Sequence, residues 1–491
     1  METVTDAGFL NHALWQDRIF TGSWSVPQGG RHSVEEPATG KILTRVGLAN
    51  AQDVSAAAQT ASAAQPAWAA MPPRERAAIF RRAATILQSH FDELAQYVAR
   101  ETAGILPKGP HEVREAIFFL ELAASAAVQA TGLVLPSVPG RQSQARRVPH
   151  GVVGVISPFN FPLVLSIRVV APALATGNAV IIKPDVQTPV SGGFLIALAL
   201  EQAGLPAGVL HVLPGAAEAG EALCQDEAIG MISFTGSTAV GRRVGELASR
   251  HLKKVALELG GKNSLIVLDD ADVDLAVNNA AWGVYLHQGQ ICMSAGRLLV
   301  AESLVDEFTR KLADKARHLP VGNPHTEPVA LGPLINSRQR DRVHQLVLDS
   351  VAAGAKLEAG GTYEALFYRP TVLSGVKPGM RAFDEEVFGP VANIVSFASD
   401  DEAVMLANLG GGSLAAGVIS PSIERATAVG NRIKTGMLHI NDQTVNDDGI
   451  NPFGGPGVAG NGSSTGAVTD WDTYTHWQWV TIKDRAPQYP F

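Results

Sequence analysis

Beyond Val148 the chain repeats one pattern: a short β-rich apolar run, a turn, then a longer helical stretch. The runs are Val152 to Ile156, Ala179 to Ile182, Val209 to Val212 and Met231 to Phe234, separated by helical segments such as Gly192 to Ala203. Continuous apolar strands need cover on both faces, and crossover helices supply it when the strands run parallel. The pattern therefore predicts an α/β fold built on a parallel sheet. A second alternating block spans about Lys254 to Thr435, with strand-like Ser264 to Leu268, Arg297 to Val300 and Val391 to Phe397. Its helical stretches are Asp272 to Val284 and Leu304 to Ala316. A length of 491 residues suits more than one core, so two blocks predict two domains with a cleft between them.

Three further segments flank these blocks. From Asp53 to Arg100 apolar residues recur at helical spacing, and Pro72-Pro73 is expected to divide the run into two amphipathic, solvent-facing helices. Gly132 to Pro149 and Thr475 to Phe491 are short, β-leaning and bounded by turns, as expected of extended arms that make subunit contacts. Internal repeats and low-complexity tracts are absent from the sequence.

Composition excludes several function classes. The 39 basic and 47 acidic residues give a net charge of −8 without a long run of either sign, so no nucleic-acid or membrane-surface footprint is expected. Two cysteines, Cys224 and Cys292, exclude a disulfide framework, and the 13 histidines form no HExxH-like cluster, so no metal site is expected. Met1 to Leu10 lacks a basic start followed by an apolar stretch and does not read as a signal or transit peptide. Gly151 to Ile167 is uncharged, but Pro158, Asn160 and Pro162 interrupt it and Arg168 follows, which argues against a membrane span. The expected setting is a reducing cytoplasm.

Several residues carry chemistry. Cys292, in Gly289-Gln290-Ile291-Cys292, reads either as a small buried hydrophobe or as a nucleophile whose own amide points into a site. Cys224, in Ala-Leu-Cys-Gln, reads as core. Glu258 lies in the nearly apolar Val255 to Lys262; burial there would raise its pKa toward that of a general base, the alternative being a strand-end carboxylate with its head in solvent. Phe234-Thr235-Gly236-Ser237, before a helix starting near Thr238, offers backbone N–H groups to phosphate or is an ordinary turn. Lys183, at a strand end, is a surface cation or a donor to a ribose. In Pro158-Phe159-Asn160-Phe161-Pro162 the prolines stiffen a turn, and the Asn160 amide either caps that turn or is held as an oxyanion donor.

Taken in order, these segments, with Glu385-Glu386-Val387-Phe388-Gly389-Pro390 and Pro452-Phe453-Gly454-Gly455, resemble the aldehyde dehydrogenase superfamily from about Pro37 to Phe491. The resemblance implies a Rossmann-like cofactor-binding domain (1–131 and 150–253), an α/β catalytic domain (254–435), and a small β oligomerisation arm with a C-terminal segment (132–149 and 436–491). It makes Cys292 the nucleophile, Glu258 the base that activates hydrolytic water, and Asn160 with the Cys292 N–H the oxyanion hole. NAD, NADP or both would be held by Ile156, Ser157, Phe159, Lys183, Gly215, Gly236, Ser237, Leu259, Glu386 and Phe388. Phe161 and Phe453 would line the aldehyde tunnel, and the chain would form a homodimer or homotetramer.

Within the superfamily, Val152 to Pro184 and the closing Trp479 to Ile482 with Tyr489-Pro490-Phe491 look most like benzaldehyde, vanillin and salicylaldehyde dehydrogenases. Three departures from common family patterns stand out: Val186 where many members place a ribose-binding Glu, His287 where Asn is frequent, and Ala459 in place of Ser. The first bears on the choice between NAD and NADP, the second on the approach to Cys292. A CoA-acylating semialdehyde dehydrogenase commonly lacks the base, so Glu258 argues for hydrolysis. An inactive homologue would be expected to have lost Cys292 or Glu258, and both are present.

Overall fold

The computed structural model describes residues 8–491. Most of Met1 to Leu10, read above for targeting signals, lies outside the described residues.

The first sheet contains five parallel strands in the spatial order Lys254–Leu259, Met231–Gly236, Val152–Ile156, Ala179–Lys183 and Leu210–Val212, with Ile19–Phe20 and Trp24–Ser25 added antiparallel beyond. The chain winds outward from Val152 to Val212, then returns to build the other half beyond its first strand. That reversal, between Val152–Ile156 and Met231–Gly236, leaves a crevice at their carboxyl ends, where open parallel sheets take ligands. Val153, Val155, Val180 and Ile182 enter one core, while Val152, Ile156, Ala179 and Ile181 enter another. The apolar runs are therefore buried on both faces, as their composition requires.

The second sheet runs Lys356–Ala359, Thr371–Ser374, Val391–Phe397, Ala295–Ala301, Asn263–Val267, Ser413–Ile419 and Thr435–Ile440, parallel except for the first pair. It too separates two cores, Ile266 and Leu299 facing one, Leu265, Val267, Leu298 and Val300 the other. Both strands at the expected domain limits fall elsewhere. Lys254–Leu259 pairs with Met231–Gly236 and closes the first sheet, and Thr435–Ile440 extends the second. Alternation along the chain shows that a strand exists but not which sheet accepts it.

Two helical expectations change in detail. The Asp53 to Arg100 layer is three helices, Ala51–Ala70, Pro73–Ser89 and Phe91–Glu101. Pro72-Pro73 makes the first break, and His90, with φ −114° and ψ 20°, makes a second. The His90 ring stacks on Phe9 at 4.5 Å, a tertiary contact that periodicity cannot report. Gly192 to Ala203 begins as a wide turn, Val190–Phe194, before the helix Leu195–Gln202. The buried Glu101 carboxylate accepts the N–H groups of Val190 and Ser191 at 3.1 and 2.7 Å and pins that turn.

Thr475–Ile482, Gln142–Pro149 and Gly132–Val134 form a separate antiparallel sheet that leaves Leu133, Val134, Trp477 and Trp479 exposed. Gly151 to Ile167 is a strand, a turn and the start of the helix Pro162–Ala175. Among the described residues, no helix is long and apolar enough to cross a membrane.

Candidate active site

Cys292 follows a short turn, Leu286–Gly289, in which His287, Gln288 and Gly289 are all left-handed, with φ of 47°, 56° and 68°. A Cβ on Gly289 would fall 2.3 Å from the Gly389 carbonyl oxygen, so only glycine fits there. Left-handed backbone costs the two other residues of order 1 kcal/mol or more each, and tertiary hydrogen bonds hold it in place. Gln288 Nε2 donates to the carbonyls of Ala103 and Pro333 at 2.9 and 2.8 Å. Gln290 Oε1 accepts from Ile335 N at 3.1 Å. Beyond the cysteine, Asn263 Nδ2 donates to the carbonyls of Cys292 and Ser294 at 2.7 and 2.9 Å, and its Oδ1 accepts from Leu414 N and Ala415 N. The thiol is thus carried on a segment clamped from both sides.

This segment borders a mostly apolar cavity of about 540 Å³ that Asn160, Phe161, Phe453 and Cys292 all line. Asn160 does not cap its own turn. Its Nδ2 donates across to the Gln290 carbonyl at 3.0 Å, leaving its second N–H for another acceptor. Burial, joined by the Glu386 and Asp447 carboxylates, pushes the Cys292 thiol up to about 12.

Glu258, 4% exposed near the end of its strand, is not a solvent-facing carboxylate. Both of its oxygens are buried without a hydrogen-bond partner, and desolvation raises its pKa well above the ordinary range. Gly460 bridges it from the C-terminal segment, and a Cβ on Gly454 would lie 3.1 Å from Oε1. Opposing the burial is Arg168, which favours the anions of both Glu258 and Cys292. Arg168 sits in Pro162–Ala175, a helix buried at every position, pairs with Asp447 at 2.9 Å and stacks over Phe453 at 4.3 Å. In the sequence Arg168 bears only on the question of a membrane span, although an arginine inside an almost wholly apolar helix signals a paired, buried charge. Asp447 and Asn263 carry no comparable sequence signal, because their partners are remote in the chain.

The cofactor candidates gather along the carboxyl edge of the first sheet. Ile156, Gly236 and Leu259 end or nearly end neighbouring strands, Ile156 and Leu259 with their side chains in the core. Ser157 follows Ile156, with its Oγ accepting from Ser166 at 2.8 Å. Ser237 caps the helix Thr238–Arg250, whose positive end faces the crevice side of the sheet. Lys183 Nζ donates to the Gly215 carbonyl at 3.0 Å, so these two meet at the adjacent strand end. From the second unit come Glu386 and Phe388. Phe388 has φ 53° and meets the Phe159 ring edge-on at 5.9 Å. Glu386 is pushed up to about 7 by desolvation, and its Oε1 is buried without a partner. An unpartnered buried carboxylate oxygen and a helix N-terminus on one crevice suit a ligand with ribose hydroxyls and phosphates. Among the described residues, no group of His, Cys, Asp and Glu could hold a metal ion.

The chain matches the model of the aldehyde dehydrogenase family over residues 24–480. It is 54% identical to a vanillin dehydrogenase from Amycolatopsis sp. over 484 residues, covering 98% of this chain and 100% of that one. It is 49% identical to an NAD(+) benzaldehyde dehydrogenase from Pseudomonas putida over 479 residues, covering 97% and 98%. Among solved structures, betaine aldehyde dehydrogenase from Staphylococcus aureus in complex with NAD+ is similar with a TM-score of 0.94 over 98% of each chain, at 29% identity. With the doubly wound sheets and the cysteine, amide and buried carboxylate already in view, the chain belongs to the aldehyde dehydrogenase family.

Proposed function

We propose that the protein oxidises an aromatic aldehyde to its carboxylic acid with NAD, accepting NADP as well. The observation that carries this reading is the cavity itself: a thiol at a mostly apolar pocket walled by Phe161 and Phe453 and lined by the Asn160 amide, with the buried Glu258 carboxylate close enough to act on the thiol's charge. Identity of about half to relatives named for vanillin and benzaldehyde supports the aromatic substrate.

In this mechanism the Cys292 thiol gives its proton to solvent water in the cavity and attacks the carbonyl as thiolate, the Arg168 charge favouring the anion against the cost of burial. The free N–H of Asn160 and the Cys292 amide hold the alkoxide. A nicotinamide held in the crevice would supply the hydride acceptor. Collapse of the alkoxide with loss of hydride leaves an acyl thioester on Cys292. Glu258, its proton affinity raised by burial, then takes a proton from the water that hydrolyses the thioester. Lys183 would reach the adenosine ribose, Ser237 the pyrophosphate and Glu386 the nicotinamide riboside, with Ile156, Ser157, Phe159, Gly215, Gly236, Leu259 and Phe388 shaping the crevice. The first sheet with its helices serves as the cofactor-binding unit and the second carries the nucleophile. The exposed Leu133, Val134, Trp477 and Trp479 of the arm suit burial against another subunit of a cytoplasmic homodimer or homotetramer.

Initial rates with benzaldehyde, vanillin, salicylaldehyde, acetaldehyde and succinic semialdehyde, each with NAD and NADP, test the proposal. Ring contacts worth about 0.5–1.5 kcal/mol each favour the aromatic aldehydes by roughly one to two orders of magnitude in kcat/KM. Acetaldehyde or succinic semialdehyde outrunning every benzaldehyde would overturn it.

A further inference from the structure

The cavity wall beside this chemistry carries a group that the mechanism does not use. His287 lines the same cavity as Cys292 and is 2% exposed. Its left-handed backbone, φ 47° and ψ 44°, is fixed by the neighbouring Gln288 amide, and its ring meets Phe161 edge-on at 5.1 Å. A side chain presented from strained, tethered backbone is held rather than free to swing. Burial, with Lys108 nearby, keeps the imidazole neutral, so one nitrogen carries hydrogen and the other is an acceptor.

The Asn160 backbone carbonyl can engage at most one of the two nitrogens, on its N–H side. The other has no protein partner although it is buried. Of the polar neighbours on the cavity wall, Lys108 is engaged with Glu112 and Thr102 and Arg168 with Asp447, while Asn160 keeps a free N–H and an unpartnered Oδ1 beside its turn. An unsatisfied acceptor in a mostly apolar pocket selects for a ligand that brings a donor to it.

We propose that His287 is a specificity residue that accepts a hydrogen bond from a hydroxyl on the ring of the substrate. This rests on the aromatic-aldehyde reading above and narrows it to hydroxybenzaldehydes. An acceptor nitrogen takes a phenolic O–H but gains nothing from a methoxy oxygen, which has no hydrogen to donate. Methoxy stands at the same ring positions but adds a methyl and cannot donate, so the change in the hydroxy-to-methoxy ratio on removing the imidazole separates this recognition from ring packing.

The test is kcat/KM for benzaldehyde and for each ring isomer of hydroxy- and methoxybenzaldehyde, with acetaldehyde as reference, in the wild type and in His287→Leu. At least one hydroxy isomer is expected to exceed its methoxy counterpart by roughly tenfold or more in the wild type, the scale of one buried hydrogen bond. In His287→Leu the ratio should fall toward one, and because it is taken within each variant, a general loss of activity cancels. His287→Phe, which keeps a flat ring but has no acceptor nitrogen, gives the same reading if His287→Leu does not fold. Good turnover of benzaldehydes with hydroxy-to-methoxy ratios near one in the wild type, or ratios that persist in His287→Leu, would overturn this inference and leave the aromatic reading standing. Acetaldehyde exceeding every benzaldehyde would overturn both.

Discussion

Replacing Asn160 with alanine separates two duties that the structure gives to one amide. One N–H of Nδ2 is engaged by the Gln290 carbonyl at 3.0 Å, and the other remains for the alkoxide. Loss of the first bond costs stability by about 1 kcal/mol, the usual net worth of such a contact. Loss of the second acts only when charge develops on oxygen, and a single oxyanion donor contributes roughly 2.7–4 kcal/mol, or about 10²–10³ in kcat. Asn160→Ala should therefore lose two to three orders of magnitude, on that scale, in the burst of reduced cofactor under rapid mixing, with only a small change in thermal midpoint. Asn160 is 3% exposed, so water cannot readily replace the missing donor. A burst rate within about threefold of the wild type would refute the oxyanion assignment. A large fall in midpoint together with the lost burst would mean that the amide acts through the Cys292 loop instead.

Two further expectations concern the crevice and its charges. Val186 lies partly exposed in the turn after Lys183, where a carboxylate would repel a 2′-phosphate, so Val186→Glu should selectively raise the KM for NADP; an unchanged NADP to NAD ratio would remove this position from the choice. Glu386 has its pKa raised from 4.5 to about 7, so the folded protein holds a proton that the unfolded chain releases. Its favourable contribution is full below about pH 4.5 and is lost as pH rises toward 7, by about 3 kcal/mol. Urea denaturation of the cofactor-free enzyme should show wild-type stability falling across that window relative to Glu386→Gln, and parallel pH curves would contradict a half-buried carboxyl whose Oε1 is shut off from water and partners.

The sheets were legible because parallel strands buried on both faces must be apolar throughout, and the runs at Val152, Ala179 and Met231 satisfy that condition without any tertiary knowledge. Sheet membership was not, since Lys254–Leu259 has the same texture as a strand of either unit and only its pairing with Met231–Gly236 decides. Cys292, Glu258 and Asn160 stood out through glycine- and proline-marked contexts that restrict the backbone around them. The environment that tunes them did not. Arg168 and Asp447 are separated by most of the chain, and Asn263 reaches both the cysteine segment and the strand at Ser413–Ile419. Such long-range hydrogen bonds leave no local periodicity, so they become visible only once the chain is folded.

The chemistry turns on a covalent acyl intermediate on Cys292 that Glu258 resolves. Glu258→Gln should be mixed with benzaldehyde and NAD and quenched in acid, then examined by intact mass and peptide mapping. A burst of reduced cofactor followed by a stall is expected, with one benzoyl group per chain mapped to Cys292 and no adduct or turnover in Cys292→Ala. Steady turnover near the wild-type rate in Glu258→Gln, an adduct on Cys224 instead, or substantial oxidation by Cys292→Ala would contradict it.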